Sequence, residues 1–178
     1  IQGVFASNSN ENIADGNKIT VESITISGSF PSNGTLDLDN DIAYTPQWEN
    51  TSGETVFNIS NKQIAESLRD GGDSKSTDSI SGVTNVKTNL LAKTSDGKEC
   101  YLTFIPSKGN LTVSITYWLT TKDSNLAEGY FRVKNNAKKT ISDMTLEAGK
   151  NYSINVLIGM TGIQFDSNVA EWETIIAE

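Results

Sequence analysis

Three aspartates in the first half of the chain are spaced like metal ligands. Asp37, Asp39 and Asp41 occupy alternate positions, as in the first half of a calcium-binding loop. Such a loop needs a glycine and a bidentate glutamate at the positions that Ile42 and Trp48 hold here. We therefore predict a solvated turn at these aspartates and no metal site in the chain.

Acid–base and nucleophilic catalysis has few candidate residues. The chain has no histidine and a single cysteine, Cys100, which lies in an alternating apolar run over residues 100–105. Without histidine there is no Ser-His-Asp triad and no imidazole to activate the thiol, so we interpret Cys100 as a small buried hydrophobe. None of the 22 acidic residues stands in an apolar setting that would raise its pKa for glycoside hydrolysis. We predict a protein that is not an enzyme, with no catalytic residues and no cofactor.

The three tryptophans are candidates for sugar stacking. Aromatic rings with a polar rim suit pyranose faces, and Trp118 lies on the polar face of its predicted strand. We name Trp118 and Trp48 as candidate glycan contacts. Packing in a core or between domains is the alternative for both of them and for Trp172.

The charge balance excludes several partners. The formal net charge is −8 and the pI is near 4.6, and Arg69 and Arg132 are the only arginines. Nucleic acids and anionic membrane surfaces need clustered basic residues, so we expect neither as a partner. No apolar run approaches the ~18 residues of a membrane span. The chain starts at Ile1 without a signal peptide, so we expect that a targeting segment was removed or lies outside this sequence.

Short alternating stretches between turn-forming residues predict an all-β chain. The alternation is most regular over residues 111–121, and it is also clear over residues 152–158. The other predicted strands are shorter and span residues 1–6, 19–30, 35–38, 42–48, 86–92, 130–133 and 141–146. Burial resumes after Gly159 and Gly162, which predicts a hairpin or a bent strand that closes a sheet.

Four local features interrupt this strand pattern. The apolar parity changes between Val21 and Ile24, which predicts a bulge near residues 22–23. Residues 60–69 carry a capping-box spacing and predict a helix of one or two turns. We also predict a polar surface loop at 70–82 and turns at 31–34, 106–110 and 134–137.

Three stretches of sequence carry a resemblance to a known family. Residues 146–172 contain, in order, AGK-x-Y, IG-x-T-x-I-x-FD and V-x-x-W, which resembles the C-terminal signature of the fimbrillins, pilus subunits and surface lipoproteins of Bacteroides-like bacteria. LTFIPSKGNLTVSITYWL, at residues 102–119, resembles the opening of the family's C-terminal domain. ITVESITISG, at residues 19–28, followed by Gly34-Thr35-Leu36 and Trp48, resembles the later half of its N-terminal domain.

The resemblance implies a specific architecture. Members of the family have two transthyretin-like, antiparallel Greek-key β-sandwiches in tandem. We accordingly expect residues 1–93 to be the later part of an N-terminal sandwich domain and residues 94–178 to be the C-terminal one. A single sandwich with a long loop at residues 70–82 is the alternative.

The resemblance also implies a structural and adhesive function. A fimbrillin-like lipoprotein would be displayed at the outer membrane and would join other fimbrial subunits by β-strand addition, with surface glycans or proteins as further partners. The segments expected to exchange lie at the two ends of the chain and include Ile1, Val4, Phe5, Trp172, Ile175 and Ile176. The alternatives are a carbohydrate-binding or anchoring module, and a sandwich domain of a larger secreted enzyme.

Overall fold

The computed structural model describes residues 3–8, 16–38, 47–70, 82–83, 88–158 and 163–171. Within these ranges the chain forms ten β-strands and a single 3-10 turn at Asn61–Gln63. The strands are β1 (Gly3–Asn8), β2 (Asn17–Gly28), β3 (Asn33–Asp37), β4 (Gln47–Ser52), β5 (Thr55–Ser60), β6 (Thr88–Asn89), β7 (Ser107–Lys122), β8 (Tyr130–Leu146), β9 (Lys150–Ile158) and β10 (Ile163–Glu171). The described chain is therefore all-β, as the alternation predicts.

The strands form two four-stranded sheets and one two-stranded ribbon. Sheet A has the order β10-β9-β1-β6, and sheet B has the order β5-β2-β7-β8. In sheet A, β1 runs parallel to β9, whereas the other neighbouring strands pair in antiparallel fashion. The ribbon of β3 and β4, which we call the arm, continues from the β2–β5 pair through the Ser32 N–H bond to the Ser52 carbonyl, 3.1 Å long.

One hydrophobic core joins the two sheets. β9 contributes the alternate residues Tyr152, Ile154, Val156 and Ile158, all buried. The buried partners from sheet B lie on β2, β5 and β7 and include Ile19, Val21, Ile24, Ile26, Ile59, Leu111, Val113, Ile115 and Tyr117. The period-2 pattern of these strands is thus the pattern of a sheet with one buried face.

The long strand predicted around residues 111–121 is confirmed as β7, but it starts earlier. Its inward residues from Leu111 to Tyr117 are buried, and the residues between them are only partly so. The turn predicted at residues 106–110 is wrong, because Ser107–Lys122 is one strand whose register shifts between Gly109 and Leu111. A shift of this kind lets glycine and proline stand near a strand's start.

The bulge predicted in the second strand is confirmed. β2 pairs with β7 throughout its length, and the register shifts between Val21 and Ser23. The extra residue is Glu22, and it restores the inward direction for Ile24 and Ile26.

β8 corrects the prediction of two short strands with a turn at residues 134–137. It is a continuous 17-residue strand that pairs with β7 from Tyr130 to Leu146. It lies at the edge of sheet B, and most of its residues are exposed or half-buried. An edge strand that buries so little can be polar, and its polar run Lys134-Asn135-Asn136 therefore imitates a turn.

The helix predicted over residues 60–69 is also wrong. Only Asn61–Gln63 forms a 3-10 turn, with the Ser60 N–H 3.4 Å from Gln63 Oε1 as the capping-box spacing suggests. Ile64 then forms a bridge to Leu91, and residues 68–70 run beside β2, where the Val21 N–H donates to the Leu68 carbonyl at 2.8 Å. Burial of Leu68 against the core overrides the weak helical preference of this short segment.

The alternating run at residues 100–105 forms no regular strand, although its apolar residues face the core. Leu102 and Phe104 pack against the buried cluster, and Cys100 is half-buried rather than fully buried. The ring of Phe104 makes edge contacts with Phe30 and Phe57 at centroid distances of 5.6 and 5.1 Å. The segment therefore seals the core without joining a sheet.

Both main sheets combine strands from the two sides of residue 94. β2 pairs with β7, and β1 pairs with β9. This pairing is what the single-sandwich alternative expects. The division between residues 93 and 94 stays a prediction, and so do the Greek-key connections and the transthyretin-like topology. The closing hairpin of the chain is confirmed as β9 and β10, whereas Gly159 and Gly162 lie outside the described residues.

Candidate functional site

The first candidate surface is the position of β1 inside sheet A. β1 lies between β9 and β6, with six residues paired to β9 and two to β6. Val4 and Phe5, named from the sequence as strand-exchange residues, lie opposite Ile154 and Asn155. The other residues of that group lie outside the described part of the chain: Ile1, Trp172, Ile175 and Ile176.

The backbone of β9 depends on β1 for its hydrogen bonds on one side. β9 has β10 on its other side, and its inward residues Ile154, Val156 and Ile158 are at most 1% exposed. If β1 left the sheet, N–H and C=O groups in the middle of sheet A would lose their partners next to this buried row. A strand of similar length could restore them by main-chain hydrogen bonds alone.

The second candidate surface surrounds Trp118 on the outer face of sheet B. The indole Nε1–H of Trp118 donates to Glu22 Oε2 at 2.6 Å, and Lys134 Nζ donates to Glu22 Oε1 at 2.8 Å. The guanidinium carbon of Arg132 lies 4.0 Å from the centroid of the indole ring, and Lys134 Nζ lies 5.5 Å from it. Three neighbouring strands, β2, β7 and β8, thus build this cluster.

Glu22 belongs to this cluster because it follows the inward-facing Val21 and so lies on the outer face of β2. The register shift at this point returns its successors Ile24 and Ile26 to the core. Lys134 lies directly opposite Trp118 on β8, so the cation and the ring share one face of the sheet.

Arg132 is held in place by a second carboxylate. Its guanidinium forms an ion pair with Asp70, and their side chains are only 12% and 15% exposed. Thr20 Oγ1 donates to the same Asp70 oxygen at 3.4 Å. The pair fixes the segment at residues 69–70 to the face of sheet B, where the Asp70 N–H donates to the Val21 carbonyl at 2.8 Å.

The Glu22 carboxylate is stabilised in its charged form. The hydrogen bond from Lys134 is the main cause that lowers its pKa below 4.5; the bond from Trp118 and the charge of Arg132 add to it, while partial burial opposes it. The cluster is therefore ionised and internally paired at neutral pH.

This geometry bears on the glycan interpretation of Trp118. Its ring is covered by the Arg132 guanidinium and its N–H is used by Glu22, so the groups that would meet a sugar are already engaged. Trp48 lies differently, on β4 of the arm, with 38% of its surface exposed. It borders a cleft of about 680 Å³ that Ser32, Asn33 and Glu54 also line.

The aspartates of the imitated calcium loop are only partly within the described chain. Asp37 is an exposed residue of β3, whereas Asp39 and Asp41 lie outside the described residues. In the part of the chain that the structure describes, no group of three or more His, Cys, Asp or Glu residues is placed to hold a metal ion. The described residues also include no helix with the length and apolarity to cross a membrane.

Sequence reasoning identified Trp118 but missed the residues that surround it. Glu22, Asp70, Arg132 and Lys134 are ordinary charged residues when the sequence is read alone. The available signal for Glu22 was its place after the apolar Val21, where the alternation puts it on the outer face. No local pattern connects Asp70 with Arg132.

The fold is similar to that of a known fimbrial protein. No protein-family model matches the chain, and no curated protein matches it. Among solved structures, the chain is similar to a fimbrial protein from Bacteroides vulgatus ATCC 8482, with a TM-score of 0.51 and 17% sequence identity. The similarity covers 97% of this chain and 54% of that one, so the chain spans about half the length of the fimbrial protein. At the level of the fold, the resemblance to the fimbrillins is confirmed.

Proposed function

We propose that this chain is a subunit of a bacterial surface fimbria, exported as a lipoprotein to the outer membrane, with a structural and adhesive role and no enzymatic activity. The observation that carries the proposal is the similarity of almost the whole chain to the fold of a fimbrial protein. Its partners in this role are other fimbrial subunits. The exposed polar faces of the described sheets and the net charge of −8 suit a protein that works in water outside the cell.

The subunits join by strand addition in this proposal, and β1 is the strand that is exchanged. The support is the placement of β1 as a short strand between β9 and β6, held to β9 by parallel main-chain pairing. Its departure would open a slot beside the buried row of β9, and the corresponding strand of another subunit would fill it. The C-terminal residues beyond β10 are the second candidate donor.

The test introduces a protease site into residues 9–15, so that the protein folds intact and is then cut after β1. We expect the cut protein to exchange β1 with a labelled peptide of residues 1–8, IQGVFASN, and to form oligomer ladders when the peptide is dialysed away. A scrambled peptide of the same composition is the matched control. A cut, folded protein that stays monomeric and binds neither peptide would contradict strand addition through β1.

The C-terminal donor is tested separately by removing residues 172–178, which leaves β10 intact. If this segment is exchanged, mixtures of intact and shortened protein should give shorter ladders than intact protein alone. Identical ladders from both would assign the exchange to β1 only.

A carbohydrate-binding role is the second candidate, and one observation favours it. Trp48 is exposed beside a cleft with a polar rim, which is the arrangement of a sugar-stacking site. Binding on a glycan array that Trp48→Ala abolishes and Trp118→Phe leaves intact would support this role. Absence of binding to every glycan on the array would exclude it.

A further inference from the structure

The arm is a two-stranded ribbon without a buried residue. Every residue of β3 and β4 is exposed, including the cross-strand pair Leu36 and Trp48, each 38% exposed. A two-stranded ribbon is marginally stable in water unless a third strand or a hydrophobic surface joins it. At about 3.3 Å per residue, the five residues of β3 make the arm about 17 Å long. Its shape and its free edges therefore suit a contact with another surface.

The edge of β8 is a second surface with unused main-chain groups. β8 pairs with β7 on one side, and none of the described strands lies on its other side. Lysines on an edge strand discourage the addition of apolar strands from other chains, and β8 carries such lysines at Lys138 and Lys139. Both are exposed, and neither has an ion-pair partner among the residues that the structure describes. These lysines would not disfavour the addition of an acidic strand, because the charges are opposite.

The arm and the β8 edge carry opposite charges. Between Lys18 and Lys62 the chain has six acidic residues and no lysine or arginine, and Asp37 and Glu49 of this stretch lie on the arm. Between Glu128 and Asp143, in contrast, β8 carries four basic residues and no acidic one. Arg132 and Lys134 are paired with Asp70 and Glu22, so Lys138 and Lys139 supply the charge of the edge. We propose that the acidic arm of one copy of this chain docks on the basic free edge of β8 in a second copy.

The Trp118 cluster shows that cations of β8 can lie over a tryptophan. That tryptophan also has a carboxylate beside it. On the arm, Trp48 and Leu36 share one face, and Glu49 and Asp37 lie on the other. Lys138 and Lys139 also lie on opposite faces of β8, so in a second copy one of them would meet the tryptophan and the other the carboxylates.

The proposed contact joins two copies. The arm extends from β2 and β5, and β8 lies at the opposite edge of sheet B from β5. Since arm and edge are different surfaces, each copy offers one of each, and such a head-to-tail contact propagates into open chains. The inference deepens the proposed assembly role and rests on it, but it does not involve β1.

The test reverses the charges on each surface of the intact chain. At low ionic strength we expect self-association of the parent protein in sedimentation velocity, weakened roughly tenfold or more in Lys138→Glu/Lys139→Glu and in Asp37→Lys/Glu49→Lys. An equimolar mixture of the two variants should associate again, because each then meets an opposite charge. High salt should weaken every association. Lys62→Glu/Lys98→Glu is the control, since it makes the same charge change on exposed lysines away from both surfaces.

A cross-linking experiment on the parent protein decides the question even if a variant fails to fold. A carbodiimide joins lysine amines to carboxylates in direct contact, and mixed light and heavy-isotope protein distinguishes links between copies. We expect mixed-isotope links from Lys138 or Lys139 to Asp37 or Glu49. A monomeric parent protein at low salt, a mixture that does not associate, or links that avoid these residues would overturn the proposal. Binding of an acidic polysaccharide to β8 without self-association would also overturn it.

Because β1 is intact throughout, failure here would leave strand exchange standing. Conversely, the parent protein could associate through arm and edge while its cut form exchanges no peptide. That result would exclude β1 as the exchanged strand and support the contact between arm and edge.

Discussion

The guanidinium of Arg132 lies over the indole of Trp118, with Cζ 4.0 Å from the ring centroid. The two residues lie on neighbouring strands. The indole N–H binds Glu22 and the guanidinium binds Asp70, and both carboxylates lie far from this pair in the sequence. The outer face of sheet B thus carries a cation–π contact in which each partner is also bound to a carboxylate.

Replacing Trp118 with phenylalanine removes the hydrogen bond to Glu22 and weakens the contact with Arg132. We expect the free energy of unfolding to fall by about 1–2 kcal/mol, as for a hydrogen bond to a charged group. Urea denaturation followed by circular dichroism measures it. The matched control is Trp48→Phe on the exposed arm, where a change within about 0.5 kcal/mol is expected. Equal losses in both variants would contradict the structural role of the cluster.

Removing one member of the Arg132–Asp70 pair leaves a largely buried charge without its partner. Asp70→Asn and Arg132→Met should each lower the free energy of unfolding by about 3 kcal/mol. The double variant should lose clearly less than the sum, because no unpaired charge remains. Strict additivity in this cycle would show that the pair is not coupled.

The stability of the protein should depend on pH through Glu22. Its pKa is lowered in the folded state, chiefly by the hydrogen bond from Lys134, so its contribution is fully present above 4.5 and is lost as the pH falls through the folded value. Because the carboxylate is partly exposed, we expect a modest effect. The difference in Tm between the parent protein and Glu22→Gln should shrink from pH 6 toward about pH 3.

The control for this pH dependence is Lys134→Met. This substitution removes the main cause of the lowered pKa of Glu22. The difference in Tm between Lys134→Met and the double variant Lys134→Met/Glu22→Gln should therefore vary less with pH than the difference between the parent protein and Glu22→Gln. If the difference in Tm between the parent protein and Glu22→Gln grew on acidification, the proposed role of Glu22 would be contradicted.

Gly28 stands where β2, β7 and the ring of Phe30 meet closely. A Cβ at this position would lie 2.6 Å from Phe30 Cδ2 and 2.7 Å from the Asn110 carbonyl oxygen. Since backbone cannot yield as a flexible side chain does, Gly28→Ala should cost about 1–3 kcal/mol. Thermal and urea denaturation measure this cost. Ser27→Ala, the neighbouring residue on β2, adds no volume and should be nearly neutral; similar losses in both would refute the steric argument.

Elements with one buried face were predictable from the sequence. β7 and β9 alternate between buried and half-buried residues, so their strand character is visible in the order of residues alone. The bulge after Val21 was visible as a change of parity for the same reason.

Elements whose state depends on distant partners were not predictable. β8 has a turn-like polar run in its middle and is a strand because β7 supplies its hydrogen bonds. Residues 60–69 carry helix signals, but they follow the edge of β2 because Leu68 is buried there. In both cases tertiary pairing outweighed the local preference.

The sequence by itself determined the all-β class, the buried faces and the family resemblance, because these depend on which residue types alternate along the chain. Only the tertiary structure decided that β1 lies between β9 and β6 and that Glu22, 96 residues from Trp118, binds its indole. Strand order and register set these relationships, and they arise from the joint burial of two sheets against one core.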